Sequence, residues 1–214
     1  MTLQAPYETT ANARGSHALE PTPSDDPHRD RLLAGLAQSI RENGLAGTQI
    51  TDIVRHAKAS RRTFYQSFAD KESCFAELAE ALTSASLAEV GAAVDADAPW
   101  ELQVDQSIDA YLDILDADPA MAITFSSDLP MLGKRGVQIQ RSAIERFAEL
   151  FVALVHSEPM RRAGVPDVSL EKAVMLVGGL HEMMVRTVDR GEPVKALAPI
   201  AKDVIKAVLD PARV

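Results

Sequence analysis

This chain has a single cysteine, Cys74. That rules out an internal disulfide and a cysteine-built metal cluster. Its five histidines, His17, His28, His56, His156 and His181, stand far apart with no paired ligand spacing, so no metal is expected. Aromatic residues are only 5% of the chain, while Ala and Leu are frequent. This balance favours helices over a β-sandwich. No apolar run approaches the ~20 residues of a membrane span, and the N-terminus lacks the charged-then-apolar order of a secretion signal. There is no G-x-S-x-G, no phosphate-cradling glycine loop and no His-Glu-x-x-His. The expectation is a cytoplasmic, non-membrane protein that is not an enzyme and carries no cofactor.

What is present is an ordinary globular composition, 46% apolar and 25% charged over 214 residues, enough for one large domain or two small ones. The net charge of -9 is unevenly placed. Segment 28–72 carries eight Lys and Arg against five Asp and Glu, a net of +3, which leaves -12 for the rest. A basic head on an acidic body suits a partner made of phosphate, because the body is repelled while the head is drawn in.

The head has internal structure. Ile50, Ile53, Val54 and Ala57 recur at i, i+3, i+4 and i+7, the spacing of a helix with one buried face. After a short polar break, Ser60-Arg61-Arg62-Thr63-Phe64-Tyr65-Gln66 reads as a second, brief helix. Phe64 and Phe68 take its inward positions, and Arg61, Arg62, Thr63, Tyr65 and Gln66 are left outward. Forked guanidinium donors, hydroxyls and an amide are what base edges and phosphates accept. Thr48 and Ser60 stand at the two helix starts as expected caps. Lys71 near the start of the next helix would make a phosphate seat.

The run from about 28 to 75 resembles the DNA-binding domain of the tetracycline-repressor (TetR) family. Gly44 matches the close of its first helix, Thr48-Gln49-Ile50-Thr51-Asp52-Ile53 the next opening, Ser60 to Tyr65 the turn and recognition helix, and Phe68-Ala69-Asp70-Lys71-Glu72 the close. The resemblance implies DNA contacts from Thr48, Gln49, Ser60, Arg61, Arg62, Thr63, Tyr65, Gln66 and Lys71. Three positions depart from the family pattern. Lys58 stands where a glycine is usual, Ala59 where a larger apolar residue is usual, and Arg62 where a small one is common. A left-handed Lys58 would carry roughly 1–2 kcal/mol of strain.

Elsewhere, residues 1–27 hold four prolines with no apolar period and read as a disordered arm. Helices are expected over 28–43, 70–94, 100–116, 119–127, 135–157, 169–190 and 193–209, broken at Pro, Gly and Asp clusters. The fold class is therefore all-α. A helix-turn-helix head over 28–75 would join a larger helical ligand-binding and dimerisation domain over 76–214, with the 70–94 helix belonging to both. The resemblance implies a small-molecule effector bound among the helices after 94. Met121, Phe125, Phe147, Phe151 and Met184 are the expected lining, so the effector should be largely hydrophobic. His181 reads as a hydrogen-bonded core group, and Cys74 as a small apolar residue behind the recognition helix.

The last two helices carry more apolar positions than one stripe can bury. Val174, Val177, Gly178, Val185, Val204 and Val208 are the expected homodimer interface, with Gly178-Gly179 allowing close approach. The resulting expectation is a dimeric repressor bound to a near-palindromic double-stranded operator and released by its effector. An architectural or division-linked DNA-binding factor without an effector is the alternative, and an all-helical enzyme the third.

Overall fold

The computed structural model describes residues 26–213. The arm expected over 1–27 lies outside them except for its last two residues. Among the described residues all regular structure is helical. The ten α-helices are α1 (Pro27–Gly47), α2 (Ile50–His56), α3 (Arg61–Ser67), α4 (Lys71–Ala93), α5 (Trp100–Ala117), α6 (Pro119–Ile123), α7 (Lys134–Val155), α8 (Glu158–Arg162), α9 (Leu170–Asp189) and α10 (Ala198–Leu209).

Local chemistry explains most of the boundaries. The Asp26 carboxylate accepts from the amides of His28 and Arg29, and Pro27 takes the first helical position, where a missing N–H costs nothing. Gly44 breaks α1 at φ 68°. The chain makes one more turn beyond it and buries Leu45. Asp70 caps α4 by accepting from the Ser73 amide.

The expected 119–127 helix is the main departure. The chain turns as α6 only to Ile123, then passes through a π-helical stretch (Thr124–Asp128) and a 3-10 turn (Leu129–Leu132). Such irregular pieces are common near functional sites. The short α8 was not expected, because five residues are too few to show a period. The expected 193–209 helix divides into a 3-10 turn (Val194–Leu197) and α10.

Two apolar clusters hold the chain together. The first joins Leu32, Leu36 and Ile40 of α1, Ile53 of α2, Phe64 of α3, and Phe75, Leu78 and Leu82 of α4. It runs on into Met121 and Leu129, well beyond the head. α2 crosses α1 at Gly35, where a Cβ would stand 2.6 Å from the Ile53 carbonyl oxygen. The second cluster joins α5, α7, α9 and α10 through Ile108, Leu112, Ala148, Met184 and Leu209 among others. Lys195, Lys202 and Lys206 pair with Asp113, Asp109 and Asp105 along α5. At half-exposed positions such pairs add at most about 1 kcal/mol each.

Candidate DNA interface and effector cavity

Seven residues make the second helix of the motif, and its faces divide as the spacing predicts. Phe64 and Phe68 are buried and their rings pack at 5.7 Å between centroids. Arg61, Arg62, Tyr65 and Gln66 are exposed, Tyr65 at 57%. Ser60 caps the helix by accepting from the Thr63 amide at 3.0 Å, and its hydroxyl also meets that of Thr63. No ion pair engages Arg61 or Arg62 among the described residues. The helix thus offers two unpaired guanidinium groups, a phenol and an amide on one surface.

Lys58 in the turn has φ 49°. The turn keeps its left-handed shape without the glycine that would adopt it freely, and the strain anticipated from the sequence is present. The Lys58 side chain is exposed beside the recognition helix.

Two expected contacts sit differently. Thr48 was expected to cap α2 and reach phosphate. Its side chain is instead turned inward, where the hydroxyl donates to the Gly44 carbonyl at 2.8 Å and accepts from Ser39. Gln49 occupies the cap position, with the Asp52 carboxylate accepting from its amide at 3.0 Å. Lys71 donates to the carbonyls of Leu45 and Thr48, both at 2.9 Å. It locks the α1–α2 joint to the start of α4, leaving one N–H of the ammonium for an external oxygen.

Several head cations are also spent internally. Arg29 makes a bidentate pair with Glu77, donates to the Ser67 carbonyl and lies over the Phe68 ring. Arg41 pairs with Asp118 at 2.8 Å. The head's positive face is therefore narrower than its composition suggests, and it centres on α3 and the turn before it. Cys74 is buried, and desolvation pushes its thiol far up, so it stays protonated and unreactive.

The body contains an apolar cavity of about 100 Å³ between α4, α5, α6, α7 and α9. A single water needs roughly 10–15 Å³ on the same measure. Met121, Phe125, Phe147 and Met184 line it as expected. Phe151 does not. It lines a second cavity of about 70 Å³ between α4, α5, α7, α9 and α10. One turn of α7 separates Phe147 from Phe151, and Phe147 itself stands at the partition. Tyr111 and Phe147 face both cavities and meet edge-on at 5.1 Å.

Four lining groups were not singled out from the sequence for this site. Tyr111 is the first, and its phenol is pushed up to about 12 by burial. Asp118 lines the cavity while capping α6 through the Met121 amide. Gln140 of α7 and His181 of α9 join across it at 2.7 Å. His181 is hydrogen-bonded, as expected of a core group, yet it is also part of the cavity wall. Burial lowers its pKa, so the ring is neutral at physiological pH. A wider hollow of about 220 Å³ lies on the far side of α6, around Pro193. It does not reach the first cluster, whereas Leu82, Met121, Phe125 and Leu129 belong both to that cluster and to the 100 Å³ cavity.

The expected dimer positions divide: Val174 and Val177 pack against the second cluster, and Val177 also lines both cavities. Val204 and Val208 are exposed, together with Met175, Met183 and Ile200. Val174, Val177, Gly178 and Val185 are half-buried. A Cβ at Gly178 or Gly179 would meet nothing within 4 Å, so within one chain these glycines serve no packing need.

A helix-turn-helix head with an outward basic helix, set on a hollow helical body, defines a DNA-binding transcriptional regulator. Residues 32–78 match the family model of bacterial regulatory proteins, tetR family. The head is a tetR-family DNA-binding domain, joined to an all-helical body. Solved structures agree on the fold. The fatty acid degradation regulator FadR of Bacillus halodurans superimposes with a TM-score of 0.72 at 17% identity, over 88% of this chain and 99% of that one. FadR of Bacillus subtilis, solved in complex with stearoyl-CoA, gives 0.68 at 15%, over 85% and 97%. A tetR-family regulator of Pectobacterium atrosepticum gives 0.62 at 22%, over 85% and 91%. Among curated proteins none matches this sequence significantly. No helix among the described residues is long and apolar enough to cross a membrane.

Proposed function

We propose that this chain is a cytoplasmic homodimeric repressor, not an enzyme, that leaves its operator when a small, largely hydrophobic effector fills the 100 Å³ cavity. One observation carries the reading: the cavity and the DNA-binding head share a wall. Leu82, Met121, Phe125 and Leu129 face the cavity and also pack into the cluster that seats α1, α2 and α3. α4 was expected to be the sole link between head and body. The structure adds a second, because α6 and the π stretch meet α1 through that cluster and through the Arg41–Asp118 pair. A ligand displacing this wall shifts the head from two sides. It changes DNA affinity only by its differential affinity for the two arrangements.

Arg61 and Arg62 would read bases. Gln49, Ser60, Thr63, Tyr65, Gln66 and Lys71 would hold backbone or neighbouring edges. Two heads on a two-fold axis then require a near-palindromic operator with half-sites spaced by helical turns. The exposed Met175, Ile200, Val204 and Val208 and the open glycines of α9 support the dimer, which would use the expected Val174, Val177, Gly178, Val185, Val204 and Val208 face. The alternative of an effector-free architectural factor is disfavoured by the cavity. The test is fluorescence anisotropy on an operator selected from random duplexes. The wild type should bind as a dimer, and Arg61→Ala should cost about 1–3 kcal/mol with relaxed base preference. Wild-type binding without sequence preference would overturn the reading.

A further inference from the structure

Of the residues lining the 100 Å³ cavity, Asp118 is the only one that carries charge, since His181 is neutral there. Its carboxylate is engaged on both sides, by the Met121 amide and by Arg41. No lysine or arginine lines the cavity among the described residues. A carboxylate or phosphate brought inside would find no countercharge and would face a charge of its own sign. Burying an unpaired anion is costly enough to exclude it.

The uncharged polar groups are placed otherwise. The Tyr111 hydroxyl has no hydrogen-bond partner among the described residues, although its surroundings keep it protonated. The Gln140–His181 contact uses one end of the Gln140 amide and leaves the other. Thr83 and Ser86 also line the cavity, and the Ser86 hydroxyl is already spent on the Leu82 carbonyl. A donor and an amide end without protein partners in a mostly apolar cavity are a call for one neutral polar group. The second cavity beyond Tyr111 and Phe147 is lined by aliphatic and aromatic side chains, with Ser107 the only other polar residue besides Tyr111, and offers room for an apolar extension.

We infer that the effector is an uncharged amphiphile whose single carbonyl or hydroxyl accepts from Tyr111, a hydroxyl also donating to the free Gln140 Oε1, and whose apolar body fills the two cavities. This rests on the assignment of the cavity to the effector. An acyl chain ending in carboxylate or carried on a phosphorylated group would have to keep that group outside.

The test uses the full chain and the neutral fluorescent probe N-phenyl-1-naphthylamine, displaced by 1-decanol, 2-decanone, decanoate or decylammonium in mildly alkaline buffer. The alcohol and ketone should displace the probe at about tenfold or more lower concentration than decanoate. Tyr111→Phe should weaken the alcohol by about tenfold more than it changes the affinity of the probe. Decanoate equal to decanol would overturn the inference and leave the cavity assignment standing, and so would decylammonium stronger than either. Ala143→Trp, placed in the cavity wall, should abolish probe binding. A wild type that does not bind the probe, or an Ala143→Trp protein that binds it unchanged, would instead overturn the cavity assignment.

Discussion

The head and the body of this regulator use apolar side chains in opposite ways. In the head, Phe64 and Phe68 fill space completely, so that Arg61, Arg62 and Tyr65 are held outward on a rigid helix. In the body, Met121, Phe125, Phe147 and Met184 surround space they leave empty. Packing the first tightly makes a surface that reads DNA. Packing the second loosely leaves a volume into which the proposed effector fits. The two meet at a single wall, which is how one can act on the other.

The largest difference should appear on truncating one ring in each region. Phe64→Ala should cost about 3–5 kcal/mol and abolish DNA binding with it, because a fully buried ring is lost. Phe147→Ala should cost clearly less, since it enlarges a cavity already there. Chemical denaturation of both variants checks this, and equal losses would erase the contrast.

Next in size is the coupling between the regions. Arg41→Ala removes the ion pair to Asp118 but no group on the DNA face. Operator affinity should stay within about threefold. The effector-induced loss of affinity, on the order of 1–3 kcal/mol for a coupled pair of sites, should shrink. Anisotropy titrations with and without 2-decanone measure both. An unchanged effector response would assign the coupling to α4 alone.

Smaller is the strain in the head. Lys58→Gly frees a residue held at φ 49° and should stabilise by up to about 1 kcal/mol, read as a raised Tm. A lowered Tm would show that the turn is not strained.

The smallest effect should be one of pH in the body. Burial lowers the His181 pKa from its ordinary 6.5, so the unfolded chain takes up this proton before the folded one does. Stability should therefore fall as pH drops below about 6.5, until the folded pKa is reached, and the same proton should weaken effector binding. His181→Gln should flatten that slope, and an identical pH profile in the variant would remove His181 from the account.

The contrast also explains what the sequence made legible. The head could be read residue by residue, because its function lies in the types and order of outward side chains: Arg61, Arg62 and Tyr65 stand where the spacing of Phe64 and Phe68 requires. Lys58 announced its own strain. The exceptions were Thr48 and Lys71, whose hydrogen bonds are to backbone carbonyls distant in sequence and leave no periodic trace. The body gave up its helices through Pro and Gly breaks. Its cavity was only partly visible, since a void is a property of packing between helices. Phe151 and Phe147 are equivalent in pattern, yet Phe147 borders both cavities and Phe151 only the second. Tyr111, Gln140 and His181 carry no motif. Their meaning appears only when α5, α7 and α9 enclose them. The π stretch begins inside the expected 119–127 helix, because a change of helical hydrogen-bond pattern over four residues leaves no periodic trace.

The account stands most directly on whether cavity and operator compete through their shared wall. The decisive measurement is the affinity of N-phenyl-1-naphthylamine for the free protein and for the operator-bound protein. Linkage requires an effector that weakens DNA binding to be weakened equally by DNA. The account predicts about tenfold or more weaker probe binding in the presence of saturating operator. Equal affinity in the two states would contradict it.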